Sequence, residues 1–295
     1  MVKIAAMGDN VVDCYLTRAE MYPGGNCLNV AVHISRFGGQ SAYVGAIGRD
    51  GAGDLIHRAL KAEHVNIKRL RRLDGPTAYC LIGHSSGERV FVNFDLGVSM
   101  FAPVQEDLDF LSGYQAVHIG QSSGLDPWVA AASSKALLSY DFSTRREQEH
   151  RRNIGRHCFL ASISGEGLAD AELKAIASEL LELGSRWVLV TCGRAGAVLH
   201  NVSDSFYTPA PLIRPVDTLG AGDTFIARTL FGLLKGEAPA DVLRHAAEAA
   251  AVTCLHYGAV GYPAAIDIGK ATLEIIRAAA LRREPMPSSK KFTCN

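Results

Sequence analysis

The chain has 295 residues, 48% of them apolar, and its 30 basic and 30 acidic side chains cancel to a formal net charge of +0. That length and apolar share suit one large α/β domain, or one domain with a small appendage. The charge balance gives no electrostatic case for nucleic acid or an anionic membrane, and no apolar run approaches the roughly 18–20 residues that cross a bilayer.

The N-terminus enters directly into a strand over 2–7, which ends at Gly8-Asp9-Asn10-Val11-Val12-Asp13. An extended run over 11–16 follows, and alternation along it would put Asp9 and Asp13 on one face. The segment Tyr22-Pro23-Gly24-Gly25-Asn26-Cys27-Leu28-Asn29-Val30-Ala31 is a glycine turn opening a helix over 26–37. Asn26 and Asn29 then lie one turn apart and can face one ligand, and amides both donate to and accept from sugar hydroxyls. Ordinary capping by Asn26 explains the same residues at least as well on local grounds.

A strand over 41–47 and a helix over 54–63 come next. The basic run Lys68-Arg69-Leu70-Arg71-Arg72 reads as a solvated face or anion contact. Residues 77–94 read as extended, with a hairpin turn at Ser85-Ser86-Gly87-Glu88. Strands over 116–119, 138–142, 158–161 and 186–191 then alternate with helices over 127–136 and 169–183. After an apolar segment over 210–216, helices follow over 221–235, 239–256 and 268–281, and 282–295 reads as a flexible tail.

This alternation predicts an α/β fold, a mostly parallel sheet flanked by helices on both faces. Residues 1–281 would form a single domain. The extended segments over about 11–18 and 70–96 break the rhythm and suggest a small β-sheet lid; an antiparallel edge of the main sheet is the alternative. The seven cysteines, with no C-x-x-C pair, read as buried thiols of a reduced, cytoplasmic protein. The ten histidines show no metal-ligand spacing and read mostly as surface or packing residues.

The most telling stretch is Val216-Asp217-Thr218-Leu219-Gly220-Ala221-Gly222-Asp223-Thr224-Phe225. Gly220 and Gly222 permit a tight turn with backbone N–H groups facing outward. Those groups at a helix N-terminus suit a phosphate or a developing oxyanion. Asp223, in the first helical turn, is well placed as a proton acceptor. The combination points to phosphoryl transfer, although Gly-Ala-Gly-Asp alone would pass for a turn with a helix-stabilising acid.

The ten-residue stretch resembles the C-terminal signature of the PfkB (ribokinase-like) sugar and nucleoside kinases. Gly24-Gly25-Asn26-Cys27-Leu28-Asn29-Val30-Ala31 resembles that family's sugar-binding signature, and Thr191-Cys192-Gly193-Arg194-Ala195-Gly196 its nucleotide-contact segment. Within the family, several less specific segments resemble fructoselysine 6-kinases: Glu88-Arg89-Val90-Phe91, Tyr140-Asp141-Phe142-Ser143 and His256-Tyr257-Gly258-Ala259.

The resemblance implies ATP-dependent phosphorylation of a primary hydroxyl of a sugar or sugar–amine adduct. Asp223 would be the base, with Gly220, Ala221 and Gly222 forming the anion hole. It implies substrate contacts at Asp13, Gly24, Gly25, Asn26, Asn29 and Arg89, with Asp95 and Asp141 as further candidates. Nucleotide contacts would come from Thr191, Gly193, Gly196 and Gly258. Mg²⁺ would be steadied through water by Glu166, and a monovalent cation such as K⁺ would sit at Asp217.

Two positions depart from the pattern: Ile163 stands where the family carries Asn, and Arg228 where it has Gly or Ala. Family lids can pair across a homodimer, and the apolar alternation over 79–82 and 90–94 permits that. The partner expected otherwise is a small-molecule sugar, with no nucleic acid and no membrane. The rival readings are another sugar or nucleoside kinase, such as a fructokinase-like one, and a non-catalytic carbohydrate sensor on the same fold. A dinucleotide dehydrogenase is more distant, because no Gly-x-Gly-x-x-Gly follows the first strand.

Overall fold

The computed structural model describes residues 1–85 and 88–269, with the side chains of 84–89 left outside it. The hairpin turn expected at Ser85-Ser86-Gly87-Glu88, nearly all of the helix expected over 268–281, and the tail over 282–295 therefore lie outside the described residues.

In chain order the elements begin with β1 (Lys3–Met7), β2 (Val11–Tyr15), β3 (Glu20–Gly24), α1 (Asn26–Arg36), β4 (Gln40–Gly48) and α2 (Gly51–Ala62). Next come β5 (Asn66–Leu73), β6 (Tyr79–Ser85), β7 (Glu88–Asp95), α3 (Gln105–Leu111), β8 (Ala116–Gly120), α4 (Val129–Ser133) and β9 (Leu137–Asp141). The last are α5 (Gln148–Gly155), β10 (Cys158–Ser164), α6 (Asp170–Glu182), β11 (Trp187–Thr191), β12 (Ala197–His200), β13 (Ser205–Thr208), α7 (Ala221–Lys235), α8 (Pro239–Thr253) and β14 (Ala264–Ala265).

Nine strands form one sheet in the order β13-β12-β11-β10-β9-β8-β1-β4-β5. Its pairs are parallel from β5 through to β11, and only the β11–β12 and β12–β13 pairs are antiparallel. The central strands are apolar on both faces, as a sheet covered on both sides requires: every residue of β8 is buried, and all of β1 beyond Lys3. One core joins that sheet to α1, α2, α7 and α8; a second, on the opposite face, joins it to α3, α4, α5 and α6.

A second sheet of five strands, β14-β3-β2-β6-β7, stands apart. This smaller separate sheet takes up parts of both segments expected to form a lid. Its sequence contributions are 11–15, 20–24, 79–85, 88–95 and 264–265. Residues 70–73 belong instead to β5, in the large sheet. Of the two readings of the basic run, a solvated face or an anion contact, the second holds on this edge strand: Arg69 Nε lies 2.7 Å from Asp107 Oδ1, and Arg71 pairs with the same fully buried carboxylate. At one edge of the lid, β7 exposes Val90, Phe91, Val92 and Phe94. The apolar segment over 210–216 forms no strand, and Leu212, Ile213 and Val216 are exposed.

Candidate active site

The carboxyl ends of β1, β8 and β9, the start of α1 and the start of α7 converge beside the root of the lid. Carboxyl-end placement is where ligands bind in open α/β sheets.

At the start of α1 the capping role belongs to Asp9, not to Asn26. The Asp9 carboxylate accepts from the backbone N–H groups of Asn26 (3.0 Å) and Cys27 (3.4 Å), and from the Ser123 hydroxyl at 2.8 Å. Asn26 is thereby released for other work. Its Nδ2 donates to Asp141 Oδ2 at 2.9 Å and to Asp223 Oδ1 at 2.8 Å, while its Oδ1 accepts from His118 Nε2 at 2.8 Å. Asn29, one turn on, donates from Nδ2 to Asp223 Oδ2 at 2.7 Å. Asn29 Oδ1 is buried without a hydrogen-bond partner. The two asparagines therefore converge first on the expected base.

Gly220 caps α7 in the left-handed region, with φ of +78°, and a Cβ on it would lie 2.2 Å from the Ala259 side chain. No other residue type fits that turn without strain. The Ala221 N–H closes the turn onto the Thr218 carbonyl through a long 3.3 Å bond. By helix geometry the N–H groups of Gly222 and Asp223 have no intrahelical acceptor, and Gly222 is exposed. Thr224 anchors this first turn: its hydroxyl meets His33 Nε2 (2.9 Å), the Gly220 carbonyl (2.9 Å) and the Thr253 hydroxyl (2.8 Å).

Asp223 and Asp141 are partly accessible yet ringed by protein. Loss of water pushes the Asp223 carboxyl up to about 6, against the lowering effect of Asn29 and Asn26, with the Asp9 charge adding to the rise. Desolvation likewise lifts Asp141 to about 7; the Ser143 N–H and Asn26 oppose this, and the charges of Asp223 and Asp9 reinforce it. Asp13 is buried at 5% exposure in β2, beside the buried Gly24.

The remaining expected residues lie around this centre. Thr191 ends β11, Gly193 is exposed just beyond it, and Gly196 is buried immediately before β12. Glu166 is exposed two residues past β10, a strand paired with β11 through Ser164 and Thr191. Gly258 is buried against the Tyr22 ring rather than open to a ligand.

Asp217 accepts from the Tyr15 hydroxyl of the lid and from the N–H groups of Leu219 (3.1 Å) and Gly258 (3.4 Å). Ile163 is 2% exposed in the core facing α6, so its side chain meets no ligand. Arg228 neither points to solvent nor toward a phosphate site; it pairs with Glu237 at 2.6 Å, against Phe37 and Phe231. The side chain of Arg89 lies outside the described residues, and Asp95 is exposed. A separate cavity of about 840 Å³, between α6 and the β12–β13 hairpin, touches Glu166 and Cys192 but none of Asp13, Asn26, Asn29 or Asp223.

Sequence reasoning missed His118, Ser139 and Tyr15. Buried polar residues inside apolar strands were the available signal, since such groups need partners.

A pfkB family carbohydrate kinase profile matches residues 3–141 and 159–265. The chain is 35% identical over 266 residues to the fructosamine kinase FrlD of Bacillus subtilis (strain 168), covering 88% of this chain and 94% of that protein. It is 30% identical over 264 residues to the fructoselysine 6-kinase of Escherichia coli (strain K12), covering 88% of this chain and 100% of the relative. Among solved structures, the Arabidopsis thaliana ribokinase complexed with ribose and ATP superposes with a TM-score of 0.76 at 20% identity, over 88% of this chain and 95% of that one.

The two desolvated acids carry a stability signature. In the unfolded chain each titrates near its ordinary value of 3.8, but in the fold near 6 and 7. A raised pKa means the protonated form is favoured by folding, so this contribution is complete below the unfolded value and is lost as pH rises through 6 to 7. Heat denaturation should therefore give a falling Tm between about pH 5 and about pH 8, and Asp223→Asn should flatten that fall. A Tm that rises across this window, or a slope untouched by the substitution, would contradict the desolvated site.

Proposed function

The chain belongs to the pfkB family of carbohydrate kinases, and from that premise we propose that its acceptor is a fructosamine, a ketose joined to an amine, phosphorylated on a primary hydroxyl. As an ATP-dependent carbohydrate kinase it is not a non-catalytic sensor. The observation that carries the mechanism is Asp223 at the first turn of α7, held by two asparagine amides beside the N–H groups of that turn.

Asp223 accepts the hydroxyl proton as the oxygen attacks the γ-phosphorus of ATP. The N–H groups of Gly222 and Asp223, at the positive end of α7, carry charge on the transferring group. Asn29 Oδ1, buried without a protein partner, is an acceptor for a sugar hydroxyl, and Asp13 faces the substrate from the lid strand. Thr191 and Gly193 are placed to meet the nucleotide.

Among the described residues no group of three or more His, Cys, Asp or Glu could hold a metal ion. An exposed Glu166 fits a Mg²⁺ carried on the nucleotide phosphates and met through water. When bound, that ion neutralises phosphate charge.

Two features favour a fructosamine over a plain sugar. Both curated relatives described above bear fructosamine or fructoselysine kinase names. The described hydrogen bonds to Asp9, Asp141 and Asp223 all come from neutral donors. An acidic cleft with neutral partners attracts a cationic acceptor such as a protonated secondary amine at long range, with the amine itself away from Asp223, whose basicity a contacting cation would lower.

A monovalent-cation role for Asp217 does not fit its surroundings. An O–H and two N–H groups converge on its carboxylate, and the Gly258 carbonyl accepts from His256 Nδ1 at 3.0 Å. These protein donors compete with a cation for the carboxylate's roughly four lone-pair sites and for that carbonyl.

Three outcomes are expected. In an ADP-release assay, fructoselysine should give a higher kcat/KM than fructose, ribose or adenosine; an equal or better value for an uncharged sugar would remove the fructosamine assignment. Asp223→Asn should retain ligand binding and lower kcat by about 10²-fold or more, the scale of a lost general base; near-normal turnover would refute its role. Replacing potassium salts by sodium or choline salts should leave turnover unchanged, and a strict potassium requirement would overturn the reading of Asp217.

A further inference from the structure

We propose that His118 is a positioning residue, fixing which end of the Asn26 amide faces the Asp141–Asp223 carboxylate pair. The use made of that geometry rests on the kinase reading above; the geometry itself does not.

The Asn26 carboxamide is the single bridge described between the two acids, with its Nδ2 2.9 Å from Asp141 Oδ2 and 2.8 Å from Asp223 Oδ1. Its opposite end, Oδ1, lies 2.8 Å from His118 Nε2. An amide oxygen only accepts, so Nε2 must carry the proton. The fully buried imidazole is also held neutral, because loss of water lowers its pKa to about 3. A neutral ring has one N–H, so Nδ1 is an acceptor, and the Ser139 hydroxyl 3.0 Å away donates to it.

The polarity thus runs one way, from Ser139 through His118 and Asn26 to the two acids. Its source is rigid. His118 and Ser139 face each other as register partners on β8 and β9, in the middle of the large sheet, and both are 0% exposed. Room for the amide is provided by Gly120, where a Cβ would lie 2.3 Å from Asn26 Oδ1.

Rotating the amide by half a turn would put its oxygen against two carboxylates and its N–H₂ against a donor. Without the His118 donor, only the acids themselves would resist that rotation. Asp9, from the β1–β2 connection, is the other charged group around the pair; Asn29 supplies Asp223 with its second donor. His118 acts through Asn26 and contacts no reacting atom.

The test begins with the unaltered chain labelled with ¹⁵N-histidine. Long-range ¹H–¹⁵N correlation should show His118 as the neutral Nε2–H tautomer throughout the neutral range. An Nδ1–H tautomer, or a ring that titrates near neutrality, overturns the proposal. In kinetics, His118→Leu should lower kcat by about tenfold or more, the factor for losing the charge-assisted hydrogen bond from Asn26 to Asp223 that His118 orients, with KM for both substrates unchanged. The acid limb of kcat should also move to higher pH, because ionised Asp223 loses support.

His118→Gln, whose amide N–H can replace Nε2–H, should recover most of the rate. Wild-type kcat and an unmoved acid limb in His118→Leu would overturn the proposal. If that variant does not fold, Ser139→Ala gives the same reading, since it removes the donor that selects the tautomer. The tautomer measurement does not depend on turnover, so a wild-type chain inert toward every acceptor would overturn the substrate assignment alone.

Discussion

The site depends on keeping Asp223 ionised in a place where ionisation is unfavourable. A carboxylate ringed by protein loses its water, and here the replacement is two amide N–H groups at 2.7 and 2.8 Å. Both donors ride on α1, while the acid rides on α7. The proposed base is therefore held in this way only when those helices pack as they do, through the core they share and through the Thr224–His33 hydrogen bond. Asp9 contributes indirectly, because by capping α1 it frees Asn26 to reach across.

The lid is tied into the same arrangement. Asp13 and Tyr15 sit two residues apart on β2 and so share one face of the strand. Asp13 is the proposed substrate contact; Tyr15 reaches Asp217, in the turn that precedes α7. Around this link Tyr15 meets Tyr22 and Tyr257 edge-on, with ring centroids 5.3 and 5.6 Å apart. The Arg18 guanidinium covers the Tyr257 ring at 4.1 Å. A motion of β2 would be felt at the turn that opens α7, so the proposed anion hole and the small sheet are mechanically linked at this root.

How much of this was legible in the sequence followed the range of the interactions. The turn over Gly220 to Asp223 could be read because its physics is local: glycine conformation, exposed N–H groups and an acid in the first helical turn. The central strands could be read because they are apolar on both faces. The partners of Asn26 and Asn29 could not, since Asp223 lies 197 and 194 residues away, and capping was the nearer explanation.

Strand β3 was read as a turn because it contains Pro23 and Gly24. The structure tolerates Pro23 because β14 pairs only with Met21 and Glu20, leaving the backbone of Pro23 on that side without a ladder. Strand β5 was hidden by its arginines, whose buried partner Asp107 comes from α3.

Where the basic side chains are committed bears on the chemistry. Arg69 and Arg71 are committed to Asp107 at the β5 edge, and Arg228 to Glu237 behind α7. The described contacts of Asp223 are amides instead. A guanidinium on that carboxylate would hold its pKa well below the ordinary value, giving a stably charged acid that is a feeble proton acceptor. Neutral amides support the anion without that penalty on basicity, which suits Asp223 to the proton-accepting role proposed for it in phosphoryl transfer.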